Sequence, residues 1–162
     1  MHILSNGSIT APDGFTAGAA SCGLKENQAL DLMILRSDRD CTASGLFTRN
    51  EIVAASVVRN RETLAHNSKR IRVVVANAGI ANACTGSLGL RNARSMQRIA
   101  GEALDCDTEQ VLTLSTGVIG VQLPMDKIEC GIRDAARNLS LESGADAALA
   151  IMTTDTRPKQ MA

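Results

Sequence analysis

The sequence is almost without aromatic residues: its 162 residues include no Trp, no Tyr and only two Phe. Proteins that bind single-stranded nucleic acid stack bases on aromatic rings, and this chain cannot build such a platform. Its charges also balance, with 17 Lys and Arg against 17 Asp and Glu. The basic surplus that supplies most of the affinity for a phosphate backbone is therefore missing. We expect no nucleic-acid partner.

Long apolar runs are lacking as well. No segment approaches the ~20 consecutive apolar residues that span a bilayer, and residues 1–4 lead into no apolar stretch of signal-peptide length. We therefore expect no membrane partner. The five cysteines are widely spaced with no C-x-x-C, and the two histidines lie in polar stretches. This pattern is typical of reduced thiols in a cytoplasmic protein, not of a disulfide framework or a zinc site.

The remaining composition is that of an ordinary globular protein, with 44% hydrophobic and 21% charged residues. A chain of this length can bury a sizeable core. No repeat, low-complexity tract or linker divides it. We therefore expect residues 1–162 to form a single domain.

Strand signals dominate the first half of the chain. The clearest is residues 71–75, a short β-branched run of the kind found in strands covered on both faces. Weaker signals predict strands at 30–35, 43–47 and 53–58, and a later strand is predicted at 111–115.

The second half adds helical patterns. An apolar stripe with a spacing of three and four residues predicts an amphipathic helix between Leu90 and Leu104. A second helix is predicted from Pro124, since proline suits the first helical turn, and a short third helix from an N-cap at Ser143. Strands followed by alternating strands and helices predict an α/β fold, or an α+β fold with helices layered on a sheet.

The segment from Asn77 to Gly86 follows the clearest strand and is rich in small residues and amides. Its start is similar to the Asn-Asn-Ala-Gly turn of short-chain dehydrogenases, but the chain lacks their glycine-rich phosphate turn and their catalytic Tyr. Two interpretations stay open, a binding loop and a tightly packed crossover. Cys84 has no histidine base nearby in sequence, so a buried structural thiol is favoured over a nucleophile.

Thr116 and Gly117 follow the strand predicted at 111–115. A hydroxyl and a backbone N–H at the carboxyl end of a strand lie where α/β proteins place their sites, and two such donors can form an oxyanion hole. An ordinary strand-terminating turn is the alternative. The run Thr153–Thr156 can cap a helix, form a turn, or bind the amine or carboxylate of a substrate.

Together and in this order, these segments resemble the amino-terminal (α) part of ornithine acetyltransferase, the bifunctional glutamate N-acetyltransferase of arginine biosynthesis. The resemblance runs from about residue 9 to residue 159. It is carried by six motifs in the family's order: Ala11-Pro12-Asp13-Gly14-Phe15, Gly45-Leu46-Phe47-Thr48-Arg49-Asn50, Asn82-Ala83-Cys84-Thr85-Gly86, Ser115-Thr116-Gly117-Val118-Ile119-Gly120, Leu123-Pro124-Met125 and Met152-Thr153-Thr154-Asp155-Thr156.

The resemblance implies a layered α/β sandwich of the self-cleaving N-terminal-nucleophile type, with no metal or organic cofactor. The family precursor cuts itself at an Ala–Thr bond, and the new amino-terminal Thr of the β chain takes the acetyl group of N-acetylornithine and passes it to glutamate. This is ping-pong covalent catalysis in an α₂β₂ heterotetramer. By the same resemblance, Thr116 and Gly117 match the oxyanion hole, and Thr153 matches a substrate-binding position.

The chain departs from the family pattern at two places. Ile80 replaces the middle Asn of the signature N-[SA]-G-N-A-N. The chain also ends before the family's Lys-Gly segment and cleavage site, so we interpret it as an α chain incomplete at its C-terminus, whose nucleophilic Thr lies outside these residues. Two alternatives stay open. One is a non-catalytic truncated remnant that binds a partner chain or an amino acid. The other is a related self-cleaving amidohydrolase.

Overall fold

The computed structural model describes residues 7–162. Within them, one four-stranded sheet has the order β1-β2-β3-β4, with antiparallel β1–β2 and β2–β3 pairs and a parallel β3–β4 pair. A short 3₁₀ helix, Thr108–Gln110, precedes β4. The strands are β1 (Phe15–Ala20), β2 (Leu32–Cys41), β3 (Ile71–Ile80) and β4 (Val111–Val118), and the α-helices are α1 (Ala55–Asn67), α2 (Gly86–Leu104), α3 (Met125–Arg137) and α4 (Gly144–Ala150).

Helices pack on all four strands at one face of the sheet and on β1 and β2 at the other. On the first face, α3 packs on β1 and β2, and α2 packs on β3 and β4. The main core lies between these layers and includes Ile34, Val75, Met96 and Ile132. On the second face, α4 packs on β1 and β2. This arrangement confirms the predicted layered α/β fold.

The strongest sequence patterns match the observed elements. The helices predicted from the apolar stripe, from Pro124 and from Ser143 are α2, α3 and α4, and Ser143 is the N-cap residue of α4. The predicted strands at 30–35, 71–75 and 111–115 overlap β2, β3 and β4.

Two predicted strands are wrong. Residues 43–47 form no regular element, and residues 53–58 lead into helix α1. The buried residues of α1 include Ser56, Asn60 and Thr63, because this helix packs beside the hydrogen-bonding edge of β4. A helix with a polar buried side has no apolar stripe, so the Val57-Val58 pair favoured a strand instead.

The sequence patterns also missed β1, whose residues are mostly small. Its Gly18 explains why: a Cβ atom at this position would lie 2.1 Å from the carbonyl oxygen of Ala135 in α3. The strand therefore uses small residues to let a helix backbone approach the sheet. Such residues have low β-propensity and give no strand signal.

Candidate functional site

The carboxyl ends of the parallel strands β3 and β4 define the candidate site. Their register pairs Asn77 with Ser115 and Gly79 with Gly117. The loop between β1 and β2 lies at the same end of the sheet, because Leu32 at the start of β2 pairs with Asn77. Ligand sites in α/β sheets favour this end.

Gly117 is held in a conformation that requires glycine. Its φ is +131°, and a Cβ atom there would lie 2.2 Å from the carbonyl carbon of Gly79. Gly79 also has a positive φ, +118°, and a Cβ atom there would lie 2.9 Å from the carbonyl oxygen of Leu24. Three backbone segments are therefore stacked closely behind the end of β4. We infer a rigid backbone at Gly117.

Side-chain hydrogen bonds tie the same strand ends together. The Ser115 hydroxyl donates to Asn77 Oδ1 at 2.7 Å, and Asn77 Nδ2 donates to the carbonyl oxygen of Ile80 at 2.9 Å. Beyond them, the amide of Ala81 donates to the carbonyl oxygen of Val118 at 2.9 Å. These bonds extend the connection between the two chain segments past the glycine pair.

The segment after β3 is a packed turn. Asn82 is fully buried with φ +48°; its Nδ2 donates to the carbonyl oxygen of Gly89 at 3.0 Å, and its Oδ1 accepts from the Thr85 hydroxyl at 2.8 Å. Gly89 has no room for a Cβ atom, which would lie 1.9 Å from Thr85 Oγ1. These contacts agree with the packed-crossover interpretation. Cys84 is exposed in this turn, against the expectation of a buried thiol.

Thr116 lies on the incompletely covered face of the sheet. Strand side chains alternate between faces, so Thr116 shares its face with Leu112 and Leu114 of the same strand. Thr116 is itself exposed, and Leu114 is 49% exposed. The side chain of Thr116 is therefore accessible, and the smaller apolar cluster on this face lies around Met33, Ala76 and Ala147.

Thr153 follows the C-terminal end of α4, the helix that covers part of the same face. It is exposed, in a segment without regular structure. Nearby, Lys159 Nζ donates to Asp155 Oδ1 at 2.6 Å, and this bond holds the pKa of the Asp155 carboxyl below its usual value. Thr116 lies in β4 and Thr153 follows α4, and no hydrogen bond joins the two residues in the part of the chain that the structure describes.

Two residues near the site were not singled out in the sequence. Asp31 is fully buried, and its carboxylate accepts hydrogen bonds from the backbone N–H groups of Cys22, Leu24 and Lys25 at 2.7, 2.6 and 3.1 Å. The Lys25 ammonium donates to carbonyl oxygens of Leu30 and Ala150, at 2.8 and 2.9 Å. A single acidic residue in a polar loop carries no periodic signal, so only the tertiary contacts reveal these roles.

Within residues 7–162, no three His, Cys, Asp or Glu side chains cluster in a way that could hold a metal ion. His66 is exposed on α1, and His2 lies outside the described residues. All five cysteines are free thiols. No helix in the described part of the chain is long and apolar enough to cross a membrane.

The fold and the strand-end site define a mixed α/β protein with helices on both faces of one sheet and a rigid glycine pair at the site. Residues 16–162 match the model of the ArgJ family. The chain therefore belongs to the ArgJ family, which confirms the resemblance found in the motifs.

Individual relatives agree. The chain is 51% identical over 158 residues to the arginine biosynthesis bifunctional protein ArgJ of Symbiobacterium thermophilum, covering 96% of this chain and 39% of that protein. The crystal structure of ornithine acetyltransferase from Mycobacterium tuberculosis, complexed with ornithine, matches with a TM-score of 0.93 and 38% identity, over 99% of this chain and 86% of that one. ArgJ of Bacillus halodurans matches with a TM-score of 0.91 and 34% identity, over 99% and 83%. The chain spans about two fifths of the length of the curated relatives it matches.

Proposed function

We propose that residues 1–162 form one domain and act as the α part of a glutamate N-acetyltransferase. The complete enzyme moves the acetyl group of N-acetylornithine to glutamate through an acetyl-threonine intermediate, with no cofactor, in the cytoplasm. Family membership supports the assignment to arginine biosynthesis, because the relatives carry that name. The M. tuberculosis relative was crystallised with ornithine, which supports a substrate of that chemistry.

The observation that carries the proposal is the geometry of Thr116 and Gly117. A tetrahedral intermediate needs donors that are already in place before negative charge develops on its oxygen. Gly117 is locked against Gly79, and the neighbouring Thr116 is exposed. In the proposed reaction, the Thr116 hydroxyl and the Gly117 N–H donate to that oxygen, and Thr153 contacts the substrate.

The partner in this proposal is the β chain of the same precursor, which carries the nucleophilic Thr and pairs with the α chain in an α₂β₂ heterotetramer. Its docking surface is the open half of the sheet, where Leu114 and Val118 are 49% and 59% exposed. Contiguous exposed apolar patches mark interaction surfaces, and these two side chains lie on the same face of one strand. The lengths of the relatives also support an enzyme of two chains. This chain covers 86% of a chain in a solved structure, but only 39% of a full-length relative.

The test is Thr116→Ala in the protein expressed from its uninterrupted gene. Loss of one oxyanion donor lowers kcat by roughly 10²–10³. The matched control is Thr42→Ala, which removes an exposed threonine just after β2, at the opposite end of the sheet. A Thr116→Ala enzyme as fast as the Thr42→Ala enzyme would overturn the assignment.

Two further measurements separate this proposal from its alternatives. Products are assayed as N-acetylglutamate and as free acetate, because an amidohydrolase would release acetate alone. Intact mass and N-terminal sequencing of the same preparation are expected to show a second chain that begins with Thr. A single uncut chain without acetyl transfer would favour the non-catalytic remnant.

A further inference from the structure

The loop between β1 and β2 contacts both halves of the candidate site. At one end, the backbone of Leu24 lies against Gly79, which in turn lies against Gly117. At the other end, the ammonium of Lys25 donates to the carbonyl oxygen of Ala150 at the end of α4, three residues before Thr153. Residues 24 and 25 are adjacent, so this loop is a direct connection between the two segments.

Asp31 gives the loop its shape. Its two carboxylate oxygens accept three backbone N–H groups between residues 22 and 25, and the carboxylate is fully buried. The backbone of Asp31 joins the sheet on both sides, because its N–H donates to Ala20 at 3.1 Å and its carbonyl accepts from Ala78 at 2.8 Å. Charged acceptors make stronger hydrogen bonds than neutral ones, so the loop is held firmly to the strand ends.

Lys25 links this loop to the end of α4. Its Nζ donates to Leu30 and Ala150 at 2.8 and 2.9 Å, which places a positive charge at the C-terminal end of the helix. Cations are favourable there because unpaired carbonyl groups accumulate at that end. Burial lowers the pKa of Lys25, against the opposing effect of the Asp31 charge. The Lys25 ammonium therefore holds the backbone at Leu30 and the backbone at Ala150 together.

We infer that Lys25 and Asp31 are positioning residues, which together set the Thr153 segment relative to Thr116 and Gly117. The inference rests on the proposed function and adds two residues to it. Neither side chain touches the reacting atoms in this account. Lys25 acts through the end of α4, and Asp31 acts through the backbone of the loop.

The test uses Lys25→Met in the full-length enzyme, which removes the ammonium and keeps most of the side-chain length. Small displacements of substrate-positioning groups cost up to about 10²-fold in rate, so we expect kcat/KM to fall by roughly that factor. Because Thr153 matches a substrate-binding position, most of the loss is expected as a higher KM for N-acetylornithine. Lys25→Arg keeps a cationic donor and is expected to recover most of the activity.

The chain offers a matched control in Lys127. Its Nζ donates to the carbonyl oxygen of Gly23 in the same loop, at 3.1 Å, but it extends from α3 and is exposed. Lys127→Met therefore removes a lysine–carbonyl bond from the loop without releasing α4. We expect its KM to match that of the unmodified enzyme.

Hydrogen exchange gives a readout besides activity. Amides of residues 151–156 are expected to exchange faster in Lys25→Met than in Lys127→Met. A double variant, Lys25→Met with Thr153→Ala, is expected to lose little more than Thr153→Ala alone, because coupled positions are not additive.

The outcomes separate the two proposals. If Thr116→Ala is impaired while Lys25→Met matches Lys127→Met in both KM and exchange, the positioning role is overturned and the proposed function stands. If Thr116→Ala is fully active, the proposed function fails first. If Lys25→Met does not fold, Lys25→Gln takes its place; it removes the positive charge and its amide ends one atom short of the lysine nitrogen, so a KM equal to that of Lys127→Met would again refute the inference.

Discussion

The edge of β4 gives the sharpest stability prediction. β4 is the last strand of the sheet, and Asn60 of α1 pairs with its free backbone as a neighbouring strand would. Asn60 Nδ2 donates to the carbonyl oxygen of Thr113 at 2.8 Å, and Asn60 Oδ1 accepts from the Thr113 N–H at 3.0 Å. Asn60 is 6% exposed and Thr113 is fully buried, so water cannot easily replace these bonds.

Asn60→Ala leaves one buried donor and one buried acceptor without a partner. Each such group costs about 1–3 kcal/mol, and the better helix propensity of Ala returns about 0.5 kcal/mol. We therefore expect the free energy of unfolding to fall by about 1.5–5.5 kcal/mol. In urea denaturation followed by circular dichroism, with a slope of about 2 kcal/mol per M, this corresponds to a midpoint lower by about 1–3 M at unchanged slope.

Asn67→Ala is the matched control for this measurement. Asn67 ends the same helix, and its Nδ2 also donates to a backbone carbonyl oxygen, that of Glu109 at 2.7 Å, but at the surface. Water can replace that bond, so the change is expected to stay within about 0.5 kcal/mol. Equal midpoints for Asn60→Ala and Asn67→Ala would refute the argument that the amide of Asn60 completes the sheet.

Three further predictions concern the site and the loop beside it. Gly117→Ala forces a Cβ atom into the backbone of Gly79 at a positive φ. We expect the free energy of unfolding, measured in urea, to fall by at least about 1–3 kcal/mol, and acetyl transfer to be lost. A variant as stable as the parent would contradict the close approach of the two glycines. Burial and then the Asp31 side chain raise the pKa of the Cys22 thiol to about 12. At pH 8, peptide mapping after iodoacetamide treatment should therefore show Cys22 unmodified and exposed Cys84 alkylated. Since the folded pKa exceeds the unfolded value of 9.0, the stability that Cys22 contributes is complete below pH 9 and is lost as pH rises from 9 towards 12, a loss absent in Cys22→Ser. Equal labelling of Cys22 and Cys84, or the same pH dependence in Cys22→Ser, would contradict this.

Hydrophobic periodicity did not predict α1 or β1, because neither element buries a row of large apolar side chains. Helix α1 buries Ser56, Asn60 and Thr63, and β1 uses small residues that admit α3. Periodicity records only how apolar residues recur along the chain. The buried side of α1 instead contacts the backbone of β4, and the small residues of β1 leave room for the backbone of α3.

At the candidate site, motifs identified some residues and the folded geometry identified others. Thr116, Gly117 and Thr153 were singled out because their types and order match a family. Lys25 and Asp31 were not, because their partners are backbone groups whose sequence gives no sign of the contact. The bond from Lys25 to Ala150 joins residues 125 positions apart, and no local pattern encodes such a pair.

The amino-acid sequence by itself therefore determined the class of fold, three of the four α-helices, the cores of β2, β3 and β4, and the family. Each of these depends on local periodicity or on the order of short motifs, which are properties of neighbours along the chain. Only the tertiary structure decided that β3 and β4 run side by side, that Gly79 lies against Gly117, and that the Thr116 face is open. These features arise from contacts between distant segments, which form only when the chain is folded.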